Sequence, residues 1–270
     1  MNKKHDALGD RMKKYENITR NHLISRSPVI LRCDGRAFHT FTRYFVKPED
    51  PILTEAMRRT AQHLCQNVQN CKLSYQQSDE ISLLLTDYDT LETNAWFDNN
   101  IQKIASVTAS IATMAFNWYF SELVLDKYMF SEFKVSTSPY GGGEIKSSDS
   151  IKNPDESVIK QATFDCRCFN IPKEEVANYF YWRQLDATRN AVLSLGQQYY
   201  TQKELQGKSC NDIKEMLLKE KGVDFEKYPT SFRKGTCCIK PYDEWVVDTN
   251  IPTFKGDGRE YIEKLVFVGE

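Results

Sequence analysis

The sequence contains no Cys-x-x-Cys pair, although it holds eight cysteines (Cys33, Cys65, Cys71, Cys166, Cys168, Cys210, Cys237 and Cys238). Zinc ribbons need two such pairs, so a thiolate site of that kind is excluded. No run reaches the eighteen or so apolar residues that a membrane span requires. The first ten residues are charged and carry no apolar signal core. The cysteines therefore read as reduced thiols of a cytoplasmic protein. Histidine is scarce: His5, His22, His39 and His63 all fall in the first quarter of the chain. Imidazole chemistry carried by later segments is thereby excluded. There is no internal repeat. The net charge of −1 gives no global basic field to announce a nucleic-acid ligand.

What is present is an ordinary globular composition, 40% hydrophobic and 27% charged over 270 residues. A chain of this length buries a core without disulfide staples. Charge is unevenly spread. Met1 to Lys47 holds eleven Lys and Arg against four Asp and Glu, an excess of seven, so the remainder carries −8. Such a basic start fits a phosphate-binding face and equally a solvated helix.

Hydrophobic periodicity orders the elements. Pro28 to Asp34 reads as a buried strand, and Leu53, Ala56, Met57, Thr60, Ala61, Leu64 and Val68 as one face of a helix. Leu73–Gln76 and Glu80–Leu85 flank a tight turn as a hairpin. Ile101 to Tyr119 spells a second helix, and Ala162–Ile171 a strand stopped by Pro172. The order is βαββαβ, that of an α+β, ferredoxin-like split βαβ unit. Glycines and serines between 131 and 156 predict a flexible loop. Residues 1–172 are thus expected to form one domain. Residues 173–270 are expected to form an appended, mostly helical region: a long helix over Val176–Tyr199, another over Asn211–Lys221, and a strand or extended hairpin over Ser231–Lys240. Val246-Val247 and Leu265–Val268 suggest short strands.

Asp34 ends the first strand, and Asp79 and Glu80 sit at the hairpin turn. In a βαββαβ sheet the first and third strands are neighbours, so these carboxylates can meet at one edge. Hard oxygen donors there suit magnesium. Two ions about 4 Å apart can activate a hydroxyl and neutralise a leaving triphosphate. Gly35 leaves room for phosphates to approach the main chain. Two solvated turns explain the same residues equally simply.

The exact residues add a resemblance. Arg32-Cys33-Asp34-Gly35-Arg36-Ala37-Phe38-His39 resembles the RxDGRxFH signature of the tRNA-His guanylyltransferase family, and Tyr75 to Ser82 resembles its Y-x-QSDE-x-S signature. Further matches follow in the family's order at Lys103–Ser110, Phe164–Arg167, Tyr181–Gln184 and Phe232–Thr236. The resemblance implies a polymerase-type palm that adds nucleotides 3′ to 5′ onto tRNA. A nucleoside triphosphate (ATP or GTP) first activates the 5′-monophosphate, and the 3′-hydroxyl of an incoming nucleotide, usually GTP, then attacks it. Carried over by position, Asp34, Asp79 and the Gly35 carbonyl would hold two Mg2+ ions, with Glu80 supporting them. Arg36, Ala37, Phe38, His39 and Ser78 would line the nucleotide pocket. Arg32, Lys103, Arg167, Arg183, Asn190, Arg233 and Lys234 would meet triphosphate or tRNA phosphates. A homotetramer, a dimer of dimers, is implied as well.

Each position also has a plain reading. Phe38 fits core packing, His39 a structural histidine, Lys103 a solvated helix face, Arg183 a surface salt bridge, and Arg233 and Lys234 a charged strand edge. Arg167, within a strand, is read as a buried arginine needing an anion. Eukaryotic members follow their WRQ-x-D stretch with HINxxYN. Here Ala187-Thr188-Arg189-Asn190-Ala191 stands instead, with Asn190 as the remnant. That departure points to the bacterial and archaeal guanylyltransferase-like branch, which resembles enzymes that repair 5′-truncated tRNAs by templated addition. A strict tRNA-His guanylyltransferase, a palm-type nucleotide cyclase and a non-catalytic nucleotide- or RNA-binding module remain the alternatives.

Overall fold

The structure is a computed structural model that describes residues 6–43, 45–133 and 161–267. In chain order the elements are α1 (Ala7–Asn17), β1 (Val29–Gly35), α2 (Phe38–Phe41), α3 (Pro51–Asn67), β2 (Cys71–Gln77) and β3 (Glu80–Leu85). There follow α4 (Ile101–Phe133), β4 (Phe164–Asn170), α5 (Lys173–Tyr199), α6 (Gln202–Leu205) and α7 (Cys210–Lys221). The chain ends with α8 (Thr230–Lys234), β5 (Thr236–Ile239), β6 (Val246–Asp248) and α9 (Glu260–Val266). Local chemistry sets several boundaries. Asp50 caps α3 by accepting from the amides of Ile52 and Leu53, with Pro51 in the first turn. Ser209 and Asp212 form a reciprocal capping box on α7, and Gly222 closes it in the left-handed conformation.

The strands form one antiparallel sheet in the order β4-β1-β3-β2-β5-β6. Its first four strands with α3 and α4 are the expected βαββαβ unit, and β1 and β3 are central neighbours. Strand alternation sends two residue sets to opposite faces. Leu31, Cys33, Ile81 and Leu83 bury against Met57, Leu64 and Phe116 of α3 and α4. Ile30, Leu73, Tyr75 and Leu84 bury against Val176 and Phe180 of α5 and Ile262 and Val266 of α9. A third cluster joins the far half of α5 to α7 through Leu195, Ile213 and Leu217.

Two expectations are corrected. Ser231–Lys240 is not one extended segment: Gly235, at φ +82°, separates α8 from β5. A Cβ there would stand 2.6 Å from the Gln76 carbonyl oxygen. Leu265–Val268 is not a strand through its described part. Ile262 and Val266, four residues apart, bury on the inner face of α9, and a short apolar run does not distinguish the two cases by itself. The segment after Pro172 is largely helical, as expected, and its short strands β5 and β6, the latter at the expected Val246-Val247, extend the sheet beyond β2. Of the expected 131–156 loop, 131–133 complete α4, and the rest lies outside the described residues.

Candidate active site

The end of β1 and the β2–β3 turn come together as their spacing requires. Asp34 lies directly across from Glu80 on β3 and from Asp165 on β4. The Gly35 amide donates to the Asp79 carbonyl at 3.1 Å, fastening the strand end to the turn. Asp79 is half-buried, and its carboxyl is held above the ordinary carboxylate value. Desolvation is the main cause, and the negative charge of Asp34 adds to it. A carboxyl whose proton affinity is raised by burial and by a neighbouring carboxylate is a ready place for a cation. Among the described residues no group of three or more His, Cys, Asp or Glu gathers into a closed metal cage.

Glu80 has a different setting. It is buried, and its Oε2 accepts from Arg183 Nη1 at 2.8 Å, with Arg32 Nε at 4.0 Å. Burial raises its carboxyl, and Arg183 and then Arg32 pull it back. Ser82 beside it shares a 2.8 Å hydrogen bond with the Tyr179 hydroxyl of α5. Glu80 is therefore the clasp between the acidic sheet edge and α5.

Next to the acidic pair opens a cleft of about 510 Å³, the size of a small-molecule site. One wall is the Gly35–Asp50 segment and another the hairpin turn, with α5 and α8 opposite. Gly35, Ala37, Phe38, His39, Ser78 and Asp79 all line it. Ala37 takes a left-handed φ of +54° at the start of α2. The amides of Ala37, Phe38 and His39 meet no acceptor among the described residues, while those of Gly35 and Arg36 are already engaged, the latter by Thr163 at 2.8 Å. The Phe38 side chain is a core group: it packs on Phe41, Phe116 and Phe164 with ring centroids 5.2 to 5.4 Å apart. Gly35 is required by that ring, because a Cβ would stand 2.2 Å from Phe38 Cδ2. His39 is exposed at the cleft rim rather than locked in structure. Arg36 is exposed and lies off the lining.

The expected phosphate contacts divide. Asn190 lines the cleft from α5. Arg183 does not face solvent, contrary to both of its readings: it is 6% exposed and bridges Glu80 and Asp186. Arg167 is not buried. β4 is the sheet's edge, so its side chain is 59% exposed, with Asp165 at 3.9 Å. Lys103 lies away from the carboxylate edge, above the Phe97 ring in the first turn of α4. It is ten residues, roughly 15 Å of helix, from Thr113, whose hydroxyl accepts from the Phe164 amide at the site end. Arg233 and Lys234 stand on α8, not on a strand edge, and both make internal bonds, to Glu226 and the Tyr228 carbonyl and to Thr253. The basic α1 has no buried residue. Lys47 and Arg58, which lie outside the signatures, also line the cleft, as does Gln77 of the Y-x-QSDE-x-S signature, to which the motif assigned no role. Among the described residues no helix is long and apolar enough to cross a membrane.

An antiparallel βαββαβ sheet that carries an acidic pair at the mouth of a nucleotide-sized cleft is the arrangement of a palm-type nucleotidyltransferase. The family model described as tRNAHis guanylyltransferase matches residues 9–172, and the chain belongs to that family. A bacterial tRNA(His) guanylyltransferase (Thg1)-like protein in complex with ATP is 41% identical, covering 97% of this chain and 100% of its own, with a TM-score of 0.81. A GTP complex of such a bacterial protein is 38% identical over the same shares, with a TM-score of 0.72. A probable tRNA(His) guanylyltransferase of Dictyostelium discoideum is 26% identical over 256 residues, 90% of this chain and 86% of that one.

Proposed function

We propose that this enzyme adds nucleotides 3′ to 5′ onto the 5′ end of tRNA by templated addition, and that its substrates are tRNAs lacking 5′ nucleotides. The observation that carries the reading is Asp79 in the cleft lining, its carbonyl fastened to the amide of Gly35, the cleft residue that directly follows Asp34. In the first step an oxygen of the tRNA 5′-monophosphate attacks the α-phosphorus of ATP or GTP, and pyrophosphate leaves. In the second the 3′-hydroxyl of an incoming nucleotide, typically GTP, attacks the activated 5′-phosphorus. The mononucleotide leaves, and the hydroxyl proton passes to solvent.

The chain's own groups fit these demands. The amides of Ala37, Phe38 and His39, which meet no acceptor among the described residues, are available to phosphate oxygens in the cleft that Ser78 also lines. Glu80 positions the turn through Arg183 without touching substrate. Asp34 and Asp79, with the Gly35 carbonyl, offer hard oxygens that fit two Mg2+ ions. Magnesium bound there would offset triphosphate charge and polarise the attacked phosphorus. Ala187, Asn190 and Ala191, the stretch standing where eukaryotic members carry HINxxYN, form part of the cleft wall. A changed wall at that place supports a broader tRNA choice than tRNA-His alone. The test is incorporation of labelled GTP into a tRNA lacking its first nucleotide and into the same tRNA intact, with and without magnesium. Magnesium-dependent restoration of the truncated tRNA is expected. Addition confined to intact tRNA-His would replace repair with strict guanylylation, and a cyclic dinucleotide formed without RNA would replace both.

A further inference from the structure

We infer that Arg58 is a phosphate-binding residue of the cleft, a role that no motif of the sequence assigns to it. Arg58, on α3, is part of the cleft lining. Its Nε is buried without a hydrogen-bond partner, and it makes no ion pair among the described residues. The adjacent Arg59, on the outer side of the same helix, is held by Glu55 at 3.0 Å and Glu122 at 2.9 Å. The other acids of this segment are committed as well: Glu49 accepts from the Thr54 hydroxyl at 3.1 Å, and Asp50 caps α3.

A buried guanidinium N–H left without an acceptor is costly, and folded proteins keep few such groups. One kept in the wall of a nucleotide-sized cleft is explained by an acceptor that arrives with the ligand. The guanidinium fork matches the oxygens of a phosphoryl group, to which it can donate two parallel bonds. Gln77 Oε1, in the same wall, is a second buried group without a partner, so the cleft is shaped for a polar guest. The inference rests on the nucleotidyltransferase reading. The phosphate can come from a nucleoside triphosphate or from the 5′ end of the RNA.

The test compares Arg58→Gln and Arg58→Lys with the parent enzyme, after circular dichroism and thermal melting show that each is folded. Binding of GTP, GMP and guanosine is measured by titration calorimetry with magnesium present. So is binding of one short RNA with and without a 5′-phosphate. For the phosphate source that Arg58 grips, Arg58→Gln is expected to weaken binding about ten- to a hundredfold, the usual loss for a hydrogen bond to a charged group. Guanosine, or unphosphorylated RNA, should change little, and Arg58→Lys should restore part of the loss. A loss confined to GTP and GMP assigns the nucleotide as the source; a loss confined to phosphorylated RNA assigns the tRNA end. Equal losses with and without phosphate, or no loss at all, overturn the inference. The function fails separately: an enzyme that shows the phosphate-dependent loss yet adds no nucleotide to tRNA keeps this subsite and refutes the reaction.

Discussion

Replacing Arg183 with methionine isolates a buried charge pair that ties α5 to the acidic sheet edge. Arg183 Nη1 stands 2.8 Å from Glu80 Oε2, and both side chains are under a tenth exposed. At 4 Å and an effective dielectric of about 20, two unit charges attract by about 4 kcal/mol. Removing one partner of a buried pair costs about 3–5 kcal/mol, mostly because the other charge stays behind. Glu80 keeps Arg32, but only at 4.0 Å, and Asp186 keeps Arg189. The expected loss is therefore near the low end, about 3 kcal/mol of unfolding free energy at pH 7. The double variant Arg183→Met with Glu80→Met should lose less than the two single losses added together, with a coupling of about 2 kcal/mol. The pH dependence has a definite sign. Burial already raises the Glu80 carboxyl above its unfolded value, and losing Arg183 removes the main force opposing that rise. The penalty of Arg183→Met relative to the parent is therefore full at neutral pH and shrinks as pH falls and Glu80 takes up a proton. Urea denaturation at pH 7 and pH 5 measures both quantities. A penalty under about 1 kcal/mol, or losses that simply add in the double variant, would refute the clasp.

Other outcomes follow from the same geometry. Asp34→Ala and Asp79→Ala should each abolish nucleotide addition in a single-turnover assay while leaving the melting temperature within a few degrees; near-full turnover in either discards the metal assignment. Gly35→Ala forces the Phe38 ring aside, since the new Cβ would lie 2.2 Å from it. Overpacking of this kind costs about 1–3 kcal/mol, and GTP affinity should fall with it; unchanged stability and affinity would show that the loop yields freely. Lys13 and Lys14 lie on α1, which buries nothing. Reversing both charges should weaken tRNA binding and flatten its salt dependence, and an unaltered slope would leave α1 to solvent.

Some of this could be read before any coordinates. The alternation in β1 and β3 and the three-four spacing in α3 and α4 fixed the order of elements, and the order alone brought Asp34 beside Glu80. What could not be read is which strand forms the border of the sheet. Arg167 has the local pattern of a buried strand residue, yet β4 has a neighbour on one side only. The same limit left open where the short strands expected near 231–240 and at Val246-Val247 would join: β5 pairs with β2, far earlier in the chain, and β6 with β5.

Arg183 is the opposite case. It sits on the apolar stripe of α5, between Phe180 and Ala187, so helical spacing alone required it to be buried. A buried arginine in turn requires a carboxylate, and the carboxylates flanking the hairpin turn were the few candidates at the site. Following the stripe rather than the general habits of arginine therefore leads to Glu80, 103 residues away. Arg58 yields to the stripe only halfway. Its neighbours Met57, Thr60 and Ala61 are buried, which puts Arg58 at the shoulder of the helix, where its stem is enclosed and its head emerges. Whether that head meets a carboxylate, as Arg59 does, or a cleft depends on what the sheet order places opposite α3. For cations on a shoulder, the informative observation is an acceptor missing from the folded chain, and such an absence has no signature in periodicity or motif.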